Sequence, residues 1–174
     1  MGKDWSKDER AWKMGKDIES NRFKRVLSLI DPNIRKATHE EDQRSHIDYH
    51  TVFGTVDVKA MKRVARSGHK QTEYLWVEFR NVQGMNGWLY GEQKWIALEK
   101  EDGFLFVTRE DLKNLAIEKC DTKTYVSNAR DALYKMYSRD NAEDVISMIK
   151  YSDLKSIPSI FIKDCGIAKD STFL

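Results

Sequence analysis

The chain has 174 residues, 40% of them hydrophobic and 33% charged, with a formal net charge of +2. That length suits one domain with a real core and is short for two, and the composition excludes a disordered chain. No stretch approaches the roughly 20 apolar residues that span a bilayer, and near-neutral charge leaves basicity to local clusters.

In chain order, residues 4–30 predict a helix, with Trp5, Trp12, Ile18, Phe23, Val26, Leu27 and Ile30 roughly on one face and Asp31-Pro32-Asn33 as its stop. Residues 33–45 are polar and predict irregular chain with a short extended piece at Ile34–Thr38. His46–Phe53 and Thr55–Met61 predict two strands about a turn at Gly54. Lys62–Thr72 reads as a polar loop and Tyr74–Phe79 as a third strand. Asn81–Gly87 is a turn, and Trp88–Tyr90, Trp95–Glu99 and Phe104–Thr108 continue the sheet. Glu101-Asp102-Gly103 is a hairpin signal. Arg109–Lys119 predicts a helix, 121–136 is mixed with a helical middle, and Val145–Ile149 is a strand. A short helix starts near Ser152, and Ser159–Ile162 is a further extended piece. The order predicts a single α/β or α+β domain over 1–174, with its core at about 12–155 and a tail at 156–174.

Cys120 and Cys165 share no metal-ligand spacing and fit a reducing compartment. The opening MGKDWSKDER has no apolar run, so the expectation is a cytoplasmic chain without a secretory signal.

Chemistry concentrates in His46-Ile-Asp48-Tyr-His-Thr-Val-Phe-Gly-Thr-Val-Asp57-Val-Lys59. Strand side chains alternate faces, so Val56 and Val58 belong to a core while Asp57 and Lys59 share the other face. A hairpin about Gly54 would bring Asp48 toward Asp57. Two adjacent carboxylates repel, and a hard divalent cation, Mg²⁺ or Mn²⁺, relieves that repulsion with only one or two carboxylates and retained waters. Such an ion can act on a phosphoryl oxygen and a water, and Lys59 can orient that water or neutralise developing charge.

This pattern resembles the core of the PD-(D/E)XK nuclease superfamily. The likeness covers roughly residues 12–112 and extends to Gly87-Trp-Leu-Tyr-Gly91 and Phe104–Leu112, which look like small phage-type members. The order Glu, Asp, Asp-x-Lys is shared with Holliday-junction-resolvase-like members. The resemblance implies a restriction-endonuclease-like α/β fold, a central mixed β-sheet flanked by helices, and Mg²⁺- or Mn²⁺-dependent hydrolysis of DNA. It implies Asp48 and Asp57 as metal ligands, with the Val58 carbonyl as a further ligand, Lys59 as catalytic, and Glu19 of the first helix as an added carboxylate. It also implies a homodimer, by analogy with junction-cutting relatives. Ile47 stands where the motif has Pro, and Asp57 where Glu is commoner.

Other residues join the candidates. Lys62, Arg63, Arg66 and Lys70 follow the motif strand without an acid before Glu73, and predict contacts to the DNA backbone. Lys16, Arg22, Lys24 and Arg25 would extend that surface. Glu78 is a further acid or a cross-strand partner for Lys59 or Arg80, and Gln93 a substrate contact or a surface amide. Trp88 and Tyr90 would stack on bases or sit in the core. The competing readings are a surface ion pair for Asp57 and Lys59, and a transition-metal site from His46, Asp48, His50 and His39. At the level of function they are a nucleic-acid-binding module that has lost cleavage and a phage accessory protein that binds a host factor.

Overall fold

The structure is a computed structural model and describes residues 18–62 and 72–165, with side chains from residue 21 onward. A π-helical turn, Ile18–Phe23, leads into α1 (Lys24–Ser28). There follow β1 (Arg35–Lys36), α2 (His39–Ser45), β2 (Tyr49–Thr51), β3 (Gly54–Lys59), β4 (Tyr74–Arg80) and a 3-10 turn, Trp88–Tyr90. Next come β5 (Trp95–Lys100), β6 (Gly103–Thr108), α3 (Arg109–Lys119), β7 (Asp121–Val126) and β8 (Lys135–Tyr137). The described chain closes with β9 (Val145–Lys150), a 3-10 turn at Tyr151–Ser156 and β10 (Ser159–Lys163). None of the described helices is long and apolar enough to cross a membrane.

The strands form two mixed sheets, six strands in the order β1-β2-β3-β5-β6-β10 and four in the order β4-β9-β8-β7. The expected α/β class holds, but the strands predicted as one sheet divide between two. β3 and β5 are parallel neighbours, Asp57 beside Ile96 and Lys59 beside Leu98. A parallel pair needs a long crossover. Here the crossover carries β4, which joins the second sheet, and the Trp88–Tyr90 turn, which corrects the strand expected at those residues.

Gly54 lets the β2–β3 hairpin close: its φ is +123°, a region that side chains rarely enter. Buried Asp31 steadies the hairpin tip, its Oδ2 accepting the Val52 N–H at 2.8 Å. The segment expected to be irregular at 39–45 is helical because Thr38 and Glu41 form a reciprocal capping box. Arg109–Lys119 is helical as expected, with Thr38's counterpart in Thr108, whose side chain accepts the Asp111 N–H. The helical middle expected within 121–136 is instead two strands around a single 3-10 turn.

The central strands of the six-stranded sheet, β3, β5 and β6, are buried on both faces, while the edge strands β1 and β10 stay largely exposed. On one face, Val56, Val58, Ala97, Phe104 and Phe106 pack with Phe23, Val26 and Leu27, the Phe23 ring lying 5.0 Å from Tyr49 and 5.2 Å from Phe104. On the other, Ile96, Leu98 and Val107 meet Leu75, Val77 and Ile149 of the second sheet and Leu112, Leu115 and Ala116 of α3. Asp57 and Lys59 share a face with their register partners Ile96 and Leu98, so they look into the space between the sheets.

Candidate active site

Alternation along β3 puts Asp57 and Lys59 side by side, with Nζ of Lys59 2.8 Å from Oδ1 of Asp57. Asp57 is 3% exposed, whereas the Lys59 side chain is 28% exposed. Asp48 stands one residue before β2. The register that pairs Tyr49 with Val56 carries it opposite Asp57. It is anchored twice: its N–H donates to the Val56 carbonyl at 2.8 Å, and its Oδ2 accepts the Val58 N–H at 2.7 Å.

The register sets the two carboxyl groups opposite one another, close enough for each to feel the other's charge. Burial pushes the Asp57 carboxyl well above the ordinary carboxylate range, Lys59 draws it back, and the Asp48 charge pushes it up again. Carboxyl groups in contact must share a proton or a cation. In a strand the N–H and C=O of one residue point to the same side. The Val58 carbonyl therefore opens toward the Asp48 side, where its N–H bonds. Two carboxyls and a carbonyl are oxygen donors that suit Mg²⁺ or Mn²⁺.

Gln93 is not a surface amide: it is 1% exposed. Its Nε2 donates to the Trp88 carbonyl at 2.7 Å and lies 3.5 Å from Oδ2 of Asp57. Its Oε1 is buried without a hydrogen-bond partner among the described residues. Gly91 makes room for it, since a Cβ there would stand 2.1 Å from that oxygen. Trp88 is buried, its ring 5.2 Å from Nζ of Lys59. It forms a wall of the site, which corrects its expected place on the sheet and removes it as a stacking platform; Tyr90 is 40% exposed. Glu78 stands on β4 of the second sheet, its Oε2 accepting the Trp88 N–H at 3.4 Å.

The basic residues divide differently. Lys62, just beyond β3, reaches the surface as a residue while its ammonium is crowded by protein. Arg63, Arg66 and Lys70 lie outside the described residues, as do Lys16 and the Glu19 side chain. Arg22, expected at the surface, is instead bound to buried Glu99 at 2.7 Å, to Asp164 at 3.1 Å and to the carbonyls of Lys100 and Glu101. Arg25 shares Asp164 at 3.0 Å. Glu99 also accepts the Met61 N–H at 2.8 Å, holding the chain just past Lys59. The sequence signal for it was an acid inside the apolar run Trp95-Ile-Ala-Leu-Glu99.

The histidine alternation is not formed. His46 leaves the strand as the left-handed cap of α2, at φ 55°, and His50 pairs with Glu41 at 2.9 Å. Among the described residues no group of three or more His, Cys, Asp or Glu side chains is placed to hold a metal; the acidic pair supplies two. Comparison with protein-family models, curated proteins and solved structures finds no match to this chain.

Proposed function

We propose that this chain is a metal-dependent nuclease that hydrolyses DNA phosphodiester bonds, with Asp48, Asp57 and Lys59 at its centre. The observation that carries the reading is the register that sets two carboxyls opposite one another, one from each arm of a hairpin, with an ammonium 2.8 Å from Asp57. The restriction-endonuclease-like assignment of the fold rests on the same hairpin, set in a mixed sheet with β5 parallel to β3.

Asp48, Asp57 and the Val58 carbonyl would hold Mg²⁺ or Mn²⁺. The ion would supply positive charge at a phosphoryl oxygen and at an attacking water. Lys59 is partly exposed and can donate a hydrogen bond to a water or a phosphate oxygen while Asp57 holds its ammonium in place. Gln93 keeps the Asp57 side chain between itself and Lys59. Lys62 stands on the exit of the same strand, where a backbone phosphate would pass.

A second reading, a nucleic-acid-binding module with a structural ion pair, is favoured by the 3% exposure of Asp57. Cleavage separates the two. The purified chain, given Mg²⁺ or Mn²⁺ and linear, branched and single-stranded DNA, is expected to cut at least one substrate. Asp57→Ala and Lys59→Ala are each expected to abolish cutting. DNA of every form left intact, with no heat of Mg²⁺ binding in calorimetry, would overturn the nuclease reading.

A further inference from the structure

The second sheet carries a guanidinium fixed by a buried acid. Arg139 lies in the turn between β8 and β9, and Asp144 immediately precedes β9. Asp144 is fully buried, and both its oxygens hold Arg139: Oδ1 accepts the Arg139 backbone N–H at 3.0 Å and Oδ2 accepts from its Nε at 2.5 Å. The Arg139 side chain nevertheless remains 51% exposed. An arginine gripped through Nε keeps its two terminal nitrogens for another acceptor, with its rotamer already restricted. That fork matches two oxygens of a phosphate. A half-exposed ion pair adds little to stability, so a wholly buried carboxylate dedicated to orienting it points to use of the outer edge.

The position is tied to the site by strand register. Tyr137 and Glu78 both pair with Ile146, and Arg80 pairs with Val145. Arg139 and Asp144 therefore lie at the Glu78 end of the sheet. Glu78 accepts the Trp88 N–H, and the Trp88 ring lies under Lys59. Lys62 follows Lys59 by three residues and feels the charges of these groups. Its residue reaches the surface while its ammonium is crowded by protein; that crowding, then the charges of Arg139 and Lys59, lower its proton affinity, and Glu78 and Asp144 act in the opposite sense. Of those two acids, one is committed to Arg139 and the other to the Trp88 amide. With Lys59 already held by Asp57, Arg139 and Lys62 are the cations that face two engaged acids here, and together they offer positive charge to an anion.

We infer that Arg139, oriented by Asp144 and flanked by Lys62, is a phosphate-binding arm of the site that grips the nucleic-acid backbone beside the acidic pair. The inference rests on the nuclease reading and adds the second sheet to the substrate surface. It is tested by fluorescence anisotropy with labelled DNA in EDTA, from low to moderate salt, on the full chain. Arg139→Gln is expected to weaken binding by about tenfold and to reduce the slope of log affinity against log salt by about one. Arg139→Lys should restore the slope but not the affinity. Asp144→Asn is the sharper variant: bulk electrostatics predicts tighter binding on losing a negative charge, whereas an orienting role predicts weaker binding. Lys62→Gln provides an independent loss of affinity should either substitution at the 139–144 turn unfold the chain. Wild-type affinity and slope in Arg139→Gln, with DNA still cut, would overturn the arm and leave the nuclease reading standing. A wild-type chain that neither binds nor cuts DNA would overturn both.

Discussion

Asp57→Asn isolates the electrostatic tension at the centre of the site. The folded chain holds the Asp57 proton to higher pH than the unfolded chain, because of burial and the neighbouring Asp48, against the pull of Lys59. A group raised in this way contributes its stability below the unfolded carboxylate value. The contribution is lost as pH rises through the folded value. Between those two values the wild type loses up to about 1.4 kcal/mol per pH unit relative to the amide. For a chain of this length that is about 3–6 °C in Tm per unit. Solvent screening brings little relief, since Asp57 is 3% exposed. The attraction of Lys59 grows as Asp57 ionises and is already part of where the folded value lies, so it narrows the pH range of the loss without changing its sign. Thermal unfolding of both proteins from pH 4.5 to pH 8 should therefore show the variant gaining on the wild type as pH rises. Mg²⁺ should reverse the trend in the wild type alone, by about 2.7 kcal/mol at a hundred times Kd. A gap that stays constant with pH, or a Mg²⁺ response equal in the two proteins, would refute the reasoning.

Two further substitutions test the scaffold around the site. Arg22→Met leaves Glu99 fully buried without its cation and should lower stability by about 3–5 kcal/mol in urea unfolding; adding Glu99→Gln should recover part of that loss. Gly91→Ala places a methyl group 2.1 Å from Oε1 of Gln93 and 2.9 Å from the Ser45 carbonyl and His46 Cβ. It should cost about 1–3 kcal/mol and, by displacing Gln93 from Asp57, reduce metal-dependent cleavage more than DNA affinity, as read by parallel rate and anisotropy measurements.

Several parts of this architecture were legible in local pattern. The valine and charge alternation of 56–59 assigned two faces to β3, and the hairpin about Gly54 followed from its flanking residues. The helix at Arg109–Lys119 ends where its caps put it. The Thr38–Glu41 capping box was equally present in the residues, but the polar composition of 39–45 masked it. Trp88–Tyr90 read as strand because its two aromatic residues carry strand propensity; a glycine on each side and the Gln93 amide on the Trp88 carbonyl close the segment into a turn instead.

Alternation, capping and turn chemistry act within a few residues, so the residues alone placed Asp57 and Lys59 on one face and set most element types. Partner choice between distant strands depends on which apolar surfaces cover one another, and no local period encodes that. Folding therefore chose the parallel β3–β5 pair, the departure of β4 into a second sheet, and the burial of Gln93 and Glu99. Through that same packing it set Trp88 against Lys59 and brought the charge of Arg139 to bear on Lys62, residues that no local pattern connects.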